Sequence, residues 1–196
     1  SQEFRYTQGI CDDAFKDFDA YLKRFPNAIF LVNASYYKSD CLYRNKQYEK
    51  ALEGYEVVND QPKSQFSEKS LLSAGQINYR LKNYDKALMN FEKLEATAEV
   101  KDNIMAAQTG ELRSSYKLND YDKALSNSQK VLSSSVTDKE LINEAHFIAG
   151  KSYFAKNDLV NAKAVSYTHL RAHETVLELV CGLLLEKKKT THQNAH

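Results

Sequence analysis

Tryptophan is absent from this chain of 196 residues, proline occurs twice and glycine six times. Such scarcity of helix-breaking residues suits a mostly helical chain. Charge of one sign is missing too. Charged residues make up 27% of the sequence, yet the formal net charge is only +1, so the basic face of a nucleic-acid binder is not expected. No run of about 18 apolar residues exists, which excludes a membrane-spanning helix in this sequence. The three cysteines show no paired spacing. Cys11 and Cys41 read as small apolar packing residues rather than redox or metal groups. Catalytic signatures are lacking as well: residues 1–164 hold no G-x-x-x-x-G-K-[ST] loop, no G-x-S-x-G elbow and no credible metal cluster. Asp12 and Asp13 stand at a helix start and read as capping groups. The expectation is a non-enzymatic protein without a cofactor.

What is present is a period. Ala14, Ala51, Ala87, Ala124 and Ala162 recur at intervals of 37, 36, 37 and 38 residues. Tyr6, Tyr43, Tyr79, Tyr116 and Phe154 each lie eight residues before one of them. Cys11, Tyr48, Tyr84, Tyr121 and Leu159 lie three before, and Phe18, Tyr55 and Phe91 four after. A fixed period in this range marks a helical repeat array, in which each unit is a helix pair that cannot bury its apolar face alone. The first repeat is already under way at Glu3 to Tyr6, so the sequence is expected to begin inside a longer chain.

Each unit reads as helix A, a tight turn, helix B and a longer connector. In the third unit Leu71, Ala74, Gly75 and Asn78 follow helical spacing. Gly75 and Gly150 fall in mid-helix, where glycine costs about 1 kcal/mol relative to alanine; close approach of a facing helix is the reason to keep them. Asn83, Asp120 and Asp158 stand just before helix B as candidate N-caps. Asp13, Glu49, Asp85 and Asp122 favour the positive end of the helix dipole. Thr137 and Glu140 fit a capping box opening the last helix A. Pro26 and Pro62 fall in connectors, where helix must end.

These residues resemble the tetratricopeptide repeat over roughly 1–164. Its small helix-A residue stands as Ser39, Gly75 and Gly150, its aromatic before helix B as Tyr48, Tyr84 and Tyr121, and its later aromatic as Phe18, Tyr55 and Phe91. The fourth unit departs from the pattern, with Leu112 where a small residue is usual and Ser128 where an aromatic is usual. The fold implied is all-α: a right-handed superhelical solenoid of antiparallel helix pairs. A narrower likeness, carried by Tyr21-Leu-Lys-Arg-Phe-Pro-Asn and the run from Ala34 to Tyr43, is to the bacterial envelope branch of these repeats. That branch includes the barrel-assembly lipoprotein and the periplasmic partner of the Tol–Pal system. It implies a periplasmic or outer-membrane address, in a lipoprotein or other envelope complex. The alternative is the regulatory arm of a larger cytoplasmic signalling or transcription-regulating protein.

The repeat grammar stops near Ala164. Residues 165–175 resemble, residue for residue, the translation of a sequencing-library adapter. Residues 179–186 match it except at Gly182, and 187–189 read as poly-A. Residues 165–196 are therefore expected to be an artefactual tail following the array of 1–164. His169 and His173, four apart beside Glu174, have the spacing of a zinc pair on a helix, but on this reading they were never selected as protein. A structure is still expected to draw a helix here, since Leu170, Val176, Leu177, Val180, Leu183 and Leu184 recur at helix-like spacing.

In a stacked array the A helices line the inner wall. Residues one turn apart should face it together: Tyr36, Asp40, Tyr43 and Arg44 in the second unit, then Gln76, Tyr79 and Arg80. Thr109, Arg113, Tyr116 and Lys117 follow in the fourth unit, and Phe147, Lys151 and Phe154 in the fifth. The column is aromatic and cationic, suited to a peptide or partner helix carrying acidic groups. The family's two-carboxylate clamp for chaperone tails is not implied, because its positions hold Tyr36, Asp40, Leu72, Gln76, Thr109 and Arg113.

Overall fold

The computed structural model describes residues 11–24, 30–134 and 138–170, the side chains of 12–16 and 166–170 excepted. Tyr6, Pro26, Thr137, His173, the side chains of Ala14 and His169, and most of the tail lie outside the described residues. Nine helices and no strand occur among them: α1 Cys11–Arg24, α2 Leu31–Arg44, α3 Tyr48–Asn59, α4 Ser67–Arg80, α5 Tyr84–Thr97, α6 Lys101–Lys117, α7 Tyr121–Ser133, α8 Lys139–Ala155 and α9 Leu159–Leu170. The all-α expectation holds. α1 has the register of a helix B; α2/α3, α4/α5, α6/α7 and α8/α9 are successive hairpins. The chain divides after Gly110, within α6, into units 1–110 and 111–196.

One turn is built four times. Lys46, Lys82, Asn119 and Asn157 have φ of 59°, 64°, 60° and 63°, each five residues before a register alanine. At each, the next residue's N–H reaches back five positions: Gln47 to the Leu42 carbonyl at 2.9 Å, Asn83 to Asn78 at 2.8 Å, Asp120 to Ser115 at 3.0 Å and Asp158 to Tyr153 at 2.9 Å. This is the Schellman ending of an α-helix. It turns the chain so that helix B starts at once, and tyrosines on either side of the turn meet. Tyr43 and Tyr48 ring centroids lie 5.8 Å apart, and those of Tyr79 and Tyr84 lie 5.2 Å apart.

In unit 1–110 the main core gathers Tyr36, Leu42, Ala51, Tyr55, Val58, Phe66, Ala74 and Ile77. Ala51 and Ala87 have no exposed surface, as expected where two helices approach closely. The later aromatics Phe18, Tyr55 and Phe91 are likewise buried. A β-carbon on Gly75 would stand 2.7 Å from the Phe91 ring, so glycine there serves the close approach expected of it. The opposite edge of the same ring lies against Gly110 of α6, a contact that no sequence motif marks. Connectors are tied across repeats. The Lys93 ammonium donates to the Asn59 carbonyl (2.7 Å) at the end of α3, and Lys63 donates to that of Thr97 (2.9 Å) at the end of α5. Glu68 of α4 accepts from the Glu99 N–H (2.9 Å) and the Asn103 amide (2.7 Å), holding the start of α6. Those hydrogen bonds, Asn103 first, keep its carboxyl below the usual range.

In unit 111–196 the apolar core is Leu112, Ala124, Val131, Leu141, Ala145 and Ile148. Ala124 and Ala162 are again fully enclosed. The departures of the fourth repeat have a physical counterpart. Glu111, Ser114, Ser115, Asn127 and Ser128 are buried there. Ser115 donates to the Glu111 carbonyl at 2.7 Å, Ser128 to the Ala124 carbonyl at 2.8 Å, and Lys130 reaches the Glu111 carboxylate at 3.0 Å. Ser128 thus stands at the register position an aromatic holds in the first three repeats, and its hydroxyl is bonded locally, as burial favours.

Three local expectations need correction. Cys11 and Cys41 are a disulfide, with Cα atoms 5.4 Å apart, joining α1 to α2; they are not separate apolar fillers. Sequence spacing missed the bond because it joins different repeats, not neighbours within one helix. The cap of α8 is Asp138, accepting from the Glu140 N–H at 2.9 Å, whereas Thr137 was expected. Asn83 sits at the N-cap of α5 but makes no side-chain cap bond. Asp120 and Asp158 do cap, accepting from Lys123 and Asn161 N–H groups, both at 3.1 Å.

Candidate functional site

The wall residues of unit 1–110 sit on α2, α4 and the first part of α6. Tyr36 is not on an open face. It is only 8% exposed and lies in the core, its ring 4.6 Å from that of Phe66 and 6.1 Å from that of Tyr55. Burial first, then Asp40 and Tyr37, pushes its phenol up to about 12, against a smaller opposing pull from Arg44. Asp40 and Arg44 pair along α2 at 3.0 Å, with the arginine side chain 55% exposed.

Arg80 of α4 lies over the ring of Tyr48, 5.1 Å from its centroid. Tyr48 in turn packs on Tyr43. The structure therefore brings Tyr43, Tyr48 and Arg80 into one aromatic–cationic platform. The Schellman turn at Lys46 places the two tyrosines, and the following repeat supplies the cation. Gln76 is exposed, and Tyr79 is half-buried against Tyr84. The Thr109 hydroxyl donates to the Met105 carbonyl at 2.8 Å, so its hydrogen is spent within its own helix.

In unit 111–196, Arg113 grips Glu144 of α8 by two bonds, Nε at 2.8 Å and a terminal nitrogen at 2.6 Å. Tyr116 is half-buried, and burial, then Tyr121, raises its phenol above the ordinary value. Lys117 is exposed. Lys151 lies 5.8 Å from the centroid of the Phe147 ring, and Phe154 is half-buried.

Two residues were missed as wall groups. Tyr48 reads in the sequence as the aromatic before helix B, and its offset of five from Tyr43, across a turn, is the available signal. Glu144 carries no motif, and only the contact between helices reveals it. The arginines are thus held by partners: a ligand carboxylate would compete with Asp40 at Arg44 and with Glu144 at Arg113, and would add to the ring at Arg80. Among the described residues no group of three or more His, Cys, Asp or Glu could hold a metal, and no helix is long and apolar enough to cross a membrane.

Residues 20–94 match the family described as "Anaphase-promoting complex, cyclosome, subunit 3". The structure of YrrB, described as a TPR protein with an unusual peptide-binding site, superposes with a TM-score of 0.67 at 16% identity, over 91% of this chain and 87% of that one. The fold is of the tetratricopeptide type. The MamA structure gives 0.62 at 18% identity, over 87% of this chain and 92% of that one. A tetratricopeptide repeat protein from Parabacteroides merdae ATCC 43184 gives 0.53 at 17% identity, over 96% and 70%. No curated protein matches the sequence. The tetratricopeptide likeness drawn from the register alanines and aromatics therefore holds at the level of fold, with helix pairs following one another as that fold requires.

Proposed function

We propose that this tetratricopeptide array is a non-enzymatic interaction module that holds a peptide or partner segment against its A-helix wall. The platform of Tyr43, Tyr48 and Arg80 carries the reading. It gathers two half-buried tyrosines and an exposed guanidinium at one place on unit 1–110, and such anchors dominate recognition energies. YrrB, described as binding peptide, supports the reading by its shared fold. Acidic and aromatic side chains are the complementary ligand chemistry. Selection from a display library of random 12-residue peptides on the purified chain tests it. Acidic–aromatic peptides enrich on the parent and fail to enrich on a Tyr43→Ala plus Arg80→Ala variant that keeps its helical circular dichroism. Equal enrichment on both proteins overturns the proposal.

The same reading places the chain in a bacterial envelope complex, periplasmic or at the outer membrane. The Cys11–Cys41 disulfide supports it, since such bonds persist in oxidising compartments. The 5′ end of the parent gene decides the matter. A secretory or lipoprotein signal upholds the address, and an adjoining DNA-binding or catalytic domain favours the cytoplasmic regulatory arm. Residues 165–196 are proposed to be foreign to the natural array. Resequencing the gene across codon 165 tests that directly, and recovery of the same codons from genomic DNA rejects it.

A further inference from the structure

We propose that the Cys11–Cys41 disulfide is a covalent staple for α1, so that order in α1 depends on oxidation while the hairpins beyond it do not. The repeat register shows what the bond replaces. Cys11 stands three residues before Ala14, where the second repeat has Tyr48. Tyr48 reaches the next A helix through Arg80, stacked at 5.1 Å. Cys11 reaches the next A helix, α2, through its bond to Cys41. The same junction between repeats is made by a ring and a cation in one case and by two sulfurs in the other.

Among the described residues, the apolar contact beside this bond is small. Phe18 and Ala34 form its buried part, flanked by half-buried Tyr21, Leu22 and Tyr37. The α2–α4 region has eight buried residues in one cluster. The ion pair of Lys38 with Asp19 has an aspartate 52% exposed, and pairs so exposed add little. A cross-link spanning 30 residues removes enough freedom from the open chain to favour docking on the order of 100-fold.

The chemistry is an exchange. A protein disulfide oxidant is attacked by one cysteine thiolate and releases one of its sulfurs as a thiol. The second cysteine then displaces the mixed disulfide. Cys11 and Cys41 together lose two electrons and two protons, and the oxidant ends as a dithiol. Both cysteines are buried, Cys41 completely. The bond therefore forms before α1 has finished packing, and a reductant reaches it only when α1 opens. This inference does not rest on the peptide-binding reading: Tyr43, Tyr48 and Arg80 pack on one another, and none of the three belongs to the cluster that packs α1 on α2.

The test uses the full chain purified without reductant. Alkylation under denaturing conditions, read by intact mass and peptide mapping, should label Cys181 alone and place the bond between Cys11 and Cys41. Hydrogen exchange is then compared with and without a phosphine reductant. Amides of residues 17–24 should lose protection about 100-fold, while those of residues 84–97 change less than about twofold. A Cys41→Ser variant should reproduce the reduced pattern without reductant. Three labelled cysteines, a different pairing, unchanged protection in α1, or a loss spread over residues 84–97 would each overturn the staple.

Discussion

Phe91 stands where a β-carbon on Gly75 would go, its ring 2.7 Å from that position. Because Gly110 abuts the opposite edge of the ring, Phe91 cannot retreat from one helix without pressing on the next. Helix propensity alone would make Gly75→Ala stabilising by about 1 kcal/mol. Overpacking of this kind costs about 1–3 kcal/mol, so the variant should be less stable than the parent in urea unfolding. Adding Phe91→Leu should recover part of the loss. A Gly75→Ala variant more stable than the parent contradicts the close approach.

The left-handed turns give an opposite substitution series. Lys82 holds φ of 64° without being glycine, a conformation that costs L-residues roughly 1 kcal/mol. Lys82→Gly should leave thermal stability level or raise it by up to about 1 kcal/mol, because relief of strain slightly outweighs added chain freedom. Lys82→Val should lower it by more than that, since a β-branched side chain fits this region worst. Equal melting temperatures for the two variants would remove the strain argument.

The register of five alanines makes the hairpins readable in the sequence, and the four whose side chains are described are fully buried. The turns were harder. Lys46 and Lys82 carry no glycine to announce a positive φ, so only the repeated hydrogen-bond pattern shows it. Helical spacing put Tyr36 beside Asp40 on one face. It could not see that Phe66, at the start of the next repeat, draws that ring into the core. Face periodicity knows one helix at a time. Contacts between repeats, such as Arg80 on Tyr48, Arg113 with Glu144 and Cys11 with Cys41, depend on how repeats stack, and no local signal encodes them.

Glu68 makes the tie to α6 dependent on pH. Its carboxyl is lowered by the Asn103 amide, then by the Glu99 N–H. A depressed carboxylate contributes stability above its unfolded pKa and loses it as pH falls through the folded value. Glu68→Gln should therefore be less stable than the parent at pH 7. The two should converge once the pH has fallen below the ordinary carboxylate range of about 4.3. Urea midpoints from pH 7 to pH 3 check this, and a gap that stays constant across the range counts against an ionised tie.

Truncation at Ala164 removes the proposed foreign tail but retains α1 to α8 and the start of α9. Arrays of three or more repeats are stable alone, so the shortened chain should keep cooperative thermal unfolding by circular dichroism. Loss of the helical signal would show that residues 165–196 are part of the fold.

The platform formed where Arg80 covers Tyr48 carries the proposed binding. An acidic–aromatic peptide taken from the display selection should be titrated into labelled protein while the Arg80 Nε–H and Met89 methyl signals are followed by NMR. Met89, on α5, is an exposed apolar side chain outside the platform. A saturable shift at Arg80 with Met89 unmoved is the predicted result. A shift at Met89 with Arg80 unmoved would place the ligand elsewhere and contradict it.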